Sequence, residues 1–386
     1  MGAAALSDIL FALLPALAAG VLLTPLIRRG ALRIGAVDRP GARSVHAKPV
    51  PYLGGLALAG AFTIGVAVSW AAHRPWRGPA HPSELLGIVL GALIVMAVGL
   101  VDDLGGFWAK RLPFLADHEG RGLRPSVKIA AEVLATLVLM RFGVRIAGIN
   151  RPFVSGHHYL PLGWLSYPLT ILWVVGITNA VNLIDGLDGL AAGVSGIAAL
   201  TLVAVMLPLV AGSPSLAVVG CAALLGACLA FLPWNFHPAR IFMGDAGALF
   251  LGFVLSTVSI MGMHPTKDAT LLTVAVPTVA MGLPVFDTIL AILRRFRTGH
   301  QVALADRGHT HHRLLDLGLG QRDVVVLLYV ASGWLGVSAV AIGRTGAWLG
   351  GGILAFVLLS STVVARLVGR LGRHRTGRAR ATSVQL

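Results

Sequence analysis

The sequence predicts an all-α, polytopic integral membrane protein. Of its 386 residues, 56% are hydrophobic and only 12% charged, where a soluble domain carries about 25% charged residues. Mean hydropathy is +0.81. Eleven segments are apolar enough to cross a bilayer, namely 6–27, 52–70, 85–101, 127–144, 162–180, 189–210, 215–233, 246–263, 269–293, 324–343 and 347–365. Each lies near the ~20 residues that a helical span requires.

Taken in order, the first run has no basic residues ahead of it and is long enough to span, so it reads as a membrane helix and not a cleavable signal. The fourth is interrupted by Lys128, Glu132 and Arg141, which leaves ten spans if it is set aside. Cys221 and Cys228 fall together in the seventh, as small core residues without a disulfide or metal pattern. The 48 glycines follow no period and suit close helix packing. No internal repeat stands out, which disfavours an inverted-repeat transporter. Residues 1–365 read as one catalytic membrane domain. The tail, 366–386, carries six arginines and reads as a disordered segment lying on anionic lipid.

The net charge of +15 comes from basic residues spread over many short loops, which excludes a nucleic-acid partner. With the N-terminus outside and each basic residue counted with its nearest loop, 24 of the 31 face the cytoplasm and 7 face out. That split follows the positive-inside rule and places the C-terminus in the cytoplasm. Four polar clusters then fall on the cytoplasmic side: Asp102-Asp103, Asn182 to Asp188, His237 to Asp245, and His309 to Arg313. Their co-location predicts one site assembled from several loops.

Asn179-Ala-Val-Asn182-Leu-Ile-Asp185-Gly-Leu-Asp188-Gly-Leu is the densest of them. Acids at a membrane edge are costly unless paired, hydrated or bound to a cation. Asn182, Asp185 and Asp188 recur every third residue and would share one broad helix face, with Gly186 and Gly189 breaking the helix near a ligand. Hard cations such as Mg²⁺ take oxygen donors of this kind, with phosphate and water completing the shell. Adjacent Asp102 and Asp103 repel each other, and such a pair acts as a base or positions a cation. In Phe236 to Gly247, Arg240 offers a fork for phosphate, and Phe242 a face for a flat base. His309, His311, His312 and Arg313 sit among arginines, a setting that favours an anion over zinc. Asp287, late in the ninth span, is expected to pair structurally with Arg294 or Arg295. Acids for a cation, bases for phosphates and a membrane setting together point to phosphoryl transfer onto a lipid.

Between Arg39 and Leu317 the chain resembles the polyprenyl-phosphate N-acetylhexosamine-1-phosphate transferases. The resemblance rests on Ser44-Val-His46-Ala-Lys48-Pro-Val-Pro-Tyr-Leu-Gly54-Gly55, Gly99-Leu-Val-Asp102-Asp103, Asn179 to Gly193, Ile241 to Gly247, Pro284-Val-Phe-Asp287, and Asp306-Arg-Gly-His309-Thr-His311-His312-Arg313-Leu. It implies that a lipid phosphate attacks the sugar-side phosphorus of a UDP-sugar, releasing UMP, with Mg²⁺ (Mn²⁺ as substitute) at the diphosphate. Carried over by motif, Asn182 and Asp245 would hold the metal. Asp102 or Asp103 would deprotonate or orient the lipid phosphate, with His311 also catalytic. Lys48, Lys128, Asn179, His309, His312 and Arg313 would bind substrate, Asp185 and Asp188 would shape the nucleotide pocket, and Phe242 would stack on uracil. The His-x-His-His-Arg form resembles the N-acetylglucosamine branch, so UDP-N-acetylglucosamine and polyprenyl phosphate are the expected partners. The alternatives are the muramoyl-pentapeptide donor of peptidoglycan synthesis and, in another class, an ion-coupled transporter. A homodimer in the inner (plasma) membrane, feeding a cell-wall polymer such as teichoic acid or lipopolysaccharide, fits the resemblance. One departure concerns Lys128: in relatives a lysine follows the Asp pair by about ten residues, whereas here the segment from Gly105 to Pro125 intervenes.

Overall fold

A computed structural model describes residues 3–38, 49–72, 82–105, 122–150, 159–207, 216–262, 272–298, 309–345 and 348–363. The helices are α1 (Ala3–Ile34), α2 (Gly54–Ala72), α3 (Pro82–Asp103), α4 (Pro125–Arg141), α5 (Ser166–Ile184), α6 (Leu190–Met206), α7 (Leu216–Asn235), α8 (Gly244–Met261), α9 (Leu272–Ala280), α10 (Gly282–Thr298), α11 (Thr310–Asp316) and α12 (Gln321–Arg344). An apolar helix α13 spans Trp348–Val363. The described strands are short: β1 (Val37–Asp38) pairs antiparallel with β2 (Val50–Pro51), and β3 (Gly148–Asn150) with β4 (Tyr159–Pro161).

Among the described residues, each of the eleven predicted segments overlaps a helix. Seven of these helices are long and apolar enough to cross a membrane, or eight with a bent pair counted as one span. Helices α6 and α13 are apolar but shorter, and α4, with its Lys, Glu and Arg, is not among the seven. The chain is thus an all-α multi-pass membrane protein. The ninth segment, predicted as one span over 269–293, is corrected: Val274–Ala280 and Gly282–Arg295 meet at 89°. Gly282 lies at the break, and Pro284 sits in the first turn of α10, where its missing N–H needs no partner.

Helices α8 and α7 form the centre and are largely buried, whereas α1 lies at the periphery and is largely exposed. Helix α8 packs against α2, α3, α5, α6 and α7. Without a hydrophobic drive between helices in lipid, close packing depends on small residues. A Cβ on Gly20 would lie 2.5 Å from the Ala230 Cβ, and one on Gly65 2.5 Å from the Ala12 carbonyl oxygen. Glycine thus brings α1 onto α2 and α7. The tail 366–386 lies outside the described residues.

Candidate active site

The site is built on the N-terminus of α8. Its N-cap residue, Met243, provides no side-chain cap. The missing acceptor comes from α3: Asp245 N–H donates to Asp103 Oδ1 at 2.7 Å and Ala246 N–H to Asp103 Oδ2 at 3.1 Å. An anion there satisfies two orphan donors and complements the helix dipole. Gly244 has φ +70°, a conformation that favours glycine, and a Cβ on it would overlap the Asp103 carboxylate. Neighbouring backbones are equally close. A Cβ on Gly99 would lie 2.5 Å from Ala246 N, and one on Gly55 2.6 Å from Gly247 Cα. The 242–243 segment is pinned to the start of α2, with Gly54 N–H donating to Phe242 O at 3.0 Å and Gly55 N–H to Met243 O at 2.9 Å.

Lys128, on α4, reaches this helix end. Its ammonium donates to Asp245 Oδ2 at 2.7 Å and lies 3.5 Å from Asp102 Oδ2. Asp102 Oδ1 accepts from Leu123 N–H at 2.6 Å, which ties the segment before α4 to the end of α3. The two adjacent aspartates therefore differ in place: Asp103 caps α8, and Asp102 faces Lys128. One turn along α4, Glu132 is 1% exposed and accepts from the Asn179 side-chain amide. The same amide also donates to Val175 O at 2.9 Å. The second Glu132 oxygen is buried without a partner among the described residues. Glu132 was not among the sequence candidates. The signal for it was an acid four residues after Lys128 in an otherwise apolar helix, a spacing that puts both on one face.

The acid-rich motif departs from its expected form. Asn182, Asp185 and Asp188 do not share a helix face, because α5 ends at Ile184 and Gly189, at φ +85°, precedes α6. Asn182 lies in the last turn of α5, half-buried, and its amide has no hydrogen bond to the described residues. Asp185 sits in the turn, where burial pushes its carboxyl up to about 7, with the Asp245 and Asp188 carboxylates adding to the rise. Asp188 braces the 237–239 loop: its Oδ2 lies 2.8 Å from His237 Nδ1 and accepts from Ala239 N–H at 3.0 Å. Asn235 extends the brace, accepting from Gly189 N–H at 3.1 Å and donating to Ile241 O at 3.0 Å. Arg240 is exposed on that loop, its guanidinium 6.0 Å from the Trp234 ring. Phe242 is half-buried.

The histidine motif docks on the same turn. A Cβ on Gly186 would lie 2.6 Å from His311 Nε2, so the ring rests directly on the Gly186 backbone. The His309 and His311 rings stack at 5.7 Å, and those of His311 and His312 approach to 4.4 Å. Arg313 follows in α11, its N–H bonded to His309 O at 3.1 Å. The expected pairing of Asp287 with Arg294 or Arg295 gives way to another. Its Oδ2 lies 2.7 Å from His309 Nδ1, and its Oδ1 accepts from Thr310 N–H at 2.8 Å and Thr310 Oγ1–H at 2.6 Å. Asp287, just past the bend, thus orients His309 and starts α11. Asp287→Asn is expected to lower kcat/KM about tenfold, on the scale of a lost supporting hydrogen bond. An unchanged kcat/KM in steady-state assays would leave Asp287 a purely structural anchor.

His311 is 2% exposed, and its Nδ1 is buried without a partner among the described residues. Burial, reinforced by His312 and His309, pushes its pKa down to about 4 against an opposing pull from Asp287. Protons therefore favour the unfolded chain, and the stability tied to neutral His311 is present above about pH 6.5 and lost as pH falls towards 4. The expected contribution is on the order of 3 kcal/mol. Melting curves should show His311→Gln losing less stability than wild type between those pH values. Parallel curves would remove His311 as the source.

Together the packing joins Asp102, Asp103, Lys128, Glu132, Asn179 and Asp245 in one cluster, with Asp185 coupled to it electrostatically and His311 one residue away on Gly186. Lys48, His46 and Asp306 lie outside the described residues. Among the described residues no group of three or more His, Cys, Asp or Glu is placed to hold a metal on its own. Mg²⁺ needs only one or two carboxylates beside phosphate and water. The hard oxygens of Asp102, Asp185, Asp245 and the uncommitted Asn182 amide fit that requirement, and the bridging of Asp102 and Asp245 by the Lys128 ammonium marks the spot as one that takes positive charge.

Comparison with known proteins supports one family throughout. The glycosyl transferase family 4 profile matches residues 85–263. A protein of Bacillus subtilis (strain 168) named "Probable undecaprenyl-phosphate N-acetylglucosaminyl 1-phosphate transferase" is 35% identical over 349 residues, 90% of this chain and 89% of that one. The decaprenyl-phosphate N-acetylglucosaminephosphotransferase of Mycolicibacterium smegmatis is 34% identical over 371 residues, 91% of this chain and 85% of the relative. A phospho-N-acetylmuramoyl-pentapeptide-transferase of Nostoc sp. is 31% identical over 343 residues, 85% of this chain and 84% of the relative.

Proposed function

For a chain that belongs to glycosyl transferase family 4, the polyprenyl-phosphate N-acetylhexosamine-1-phosphate transferases, we propose transfer of N-acetylglucosamine-1-phosphate from UDP-N-acetylglucosamine to a polyprenyl phosphate. The products are polyprenyl-diphosphate-N-acetylglucosamine and UMP. The observation that carries this reading is the Asp102–Lys128–Asp245 bridge seated on a helix N-terminus capped by Asp103. It gathers acids, a cation and backbone dipoles at one point, which is what phosphoryl transfer requires, since positioning and charge neutralisation do most of the work. The two relatives named for N-acetylglucosamine support the donor.

In the proposed reaction, an oxygen of the lipid phosphate bonds to the sugar-side phosphorus as the bond to the UMP oxygen breaks. Asp102, held by the Leu123 N–H and facing Lys128, orients the lipid phosphate and takes its proton where one is present. Lys128 brings positive charge to the phosphoryl oxygens. His309, oriented by Asp287, and His312 and Arg313 contact the diphosphate, while His311 closes the turn beside Asp185. Mg²⁺, or Mn²⁺ in its place, would be held by Asn182 and Asp245 and would supply charge neutralisation at the diphosphate. The site faces the cytoplasm in this reading, the N-terminus lies outside, and the product feeds a cell-envelope glycan.

Donor competition tests the proposal. Labelled UDP-N-acetylglucosamine and UDP-N-acetylmuramoyl-pentapeptide are offered with polyprenyl phosphate to the purified protein, and the lipid product is identified. N-acetylglucosamine on the lipid with UMP release is expected. The muramoyl product would reassign the donor, and folded protein releasing no UMP from either would overturn the reaction.

A further inference from the structure

The loop braced by Asp188 lines a groove of about 600 Å³ with no acid in its lining. Leu229, Leu232, Pro233 and Phe236, from the end of α7 and the start of the loop, form an apolar wall, and Arg240 and Arg322 form a basic rim. A third arginine adjoins it. Arg28 Nε donates to Arg240 O at 3.0 Å, and Arg322 Nε donates to His237 O at 3.0 Å. Both guanidiniums are thereby aimed by main-chain carbonyls, and the terminal nitrogens of Arg28, Arg240 and Arg322 make no hydrogen bond or ion pair with the described residues.

Three guanidiniums without a carboxylate, two of them aimed by main-chain carbonyls, above an apolar wall at the end of a membrane helix, match an amphiphile with an anionic head and a hydrocarbon tail. Arginine forks bind phosphate oxygens in pairs. Basic residues at a membrane boundary attract anionic lipid. We propose that this groove is a binding site for an anionic glycerophospholipid of the surrounding leaflet, separate from the reacting lipid. The reacting phosphate has to reach Asp102, Lys128 and Asp245, and none of these lines the groove. The bound phospholipid ties the C-terminal part of α1, the 237–240 loop and the start of α12 together through the carbonyl-anchored arginines. Because Asp188 holds the same loop through His237 and Ala239, occupancy stiffens a wall of the catalytic site without entering it.

The test uses the full chain in detergent. Phosphatidylglycerol is expected to raise the melting temperature by several degrees more than phosphatidylcholine with the same acyl chains. Arg28→Gln with Arg322→Gln should abolish that difference, and Arg28→Lys with Arg322→Lys should keep most of it. A photoactivatable phosphatidylglycerol on the wild type should label the peptides around 229–240 and 322. Equal effects of the two phospholipids, an undiminished difference in the Gln pair, or labelling confined to other regions would overturn the proposal. So would the same rise with inorganic phosphate, which would mean a free-anion site, or loss of labelling at low polyprenyl phosphate, which would mean the acceptor's own site. None of these outcomes depends on the donor sugar.

Discussion

Replacing Asp245 by asparagine is expected to abolish turnover while leaving the protein folded. The carboxylate is the direct partner of Lys128 at 2.7 Å and adds to the electrostatic load on Asp185. Asparagine keeps the shape, and the backbone N–H of residue 245 still donates to Asp103. The folding cost is therefore the loss of a negative charge in the first turn of α8, about 0.3–1 kcal/mol, and of an ion pair that is partly open to solvent. The catalytic cost is larger. Removing one preorganised charged group from a site of this kind lowers kcat by roughly 10²–10³, and the proposed metal ligand loses its negative charge as well. UMP release and its Mg²⁺ titration are the measurements, with a melting curve as the folding control. Turnover near wild type would take Asp245 out of the chemistry altogether.

The seven helices long and apolar enough to span were legible because long apolar runs leave a chain few alternatives in lipid. The bend at Met281 was not, because a membrane helix accommodates proline and glycine without breaking, so Gly282 and Pro284 are ambiguous until neighbours are placed. The site was legible as a set of clusters but not as a division of labour. Asp102 and Asp103 are chemically identical neighbours, and only the approach of α8, 142 residues away, distinguishes the cap from the residue facing Lys128. Lys128 was obscured by the segment after Gly105, yet Leu123 N–H folds back onto Asp102 and delivers α4 to the cluster. Glu132 read as an interruption in a span, since nothing near it in sequence announces Asn179. For Asp188 the resemblance implies a place in the nucleotide pocket, and the structure adds a bracing role. Its bond to the 237–239 loop is a contact 49 residues away that periodicity does not encode.

The glycine beside that cap should be as sensitive as the acids. Gly244→Ala places a Cβ at φ +70° and against the Asp103 carboxylate. The left-handed conformation alone costs about 1–2 kcal/mol. Displacing Asp103 also weakens two hydrogen bonds to a charged acceptor, each worth about 1.5–3 kcal/mol. A loss of about 3 kcal/mol or more is therefore expected, with turnover falling at least tenfold even where the variant remains folded, because the Asp245 main chain is held by the same carboxylate. The two contributions can be separated. Asp103→Ala removes the cap and opens space for the new methyl group, so the double variant with Gly244→Ala should be less unstable than the sum of the singles. Melting curves of the four proteins give the coupling directly. Strict additivity would mean that the methyl group and the carboxylate do not compete, and that Asp103 is not what holds the start of α8.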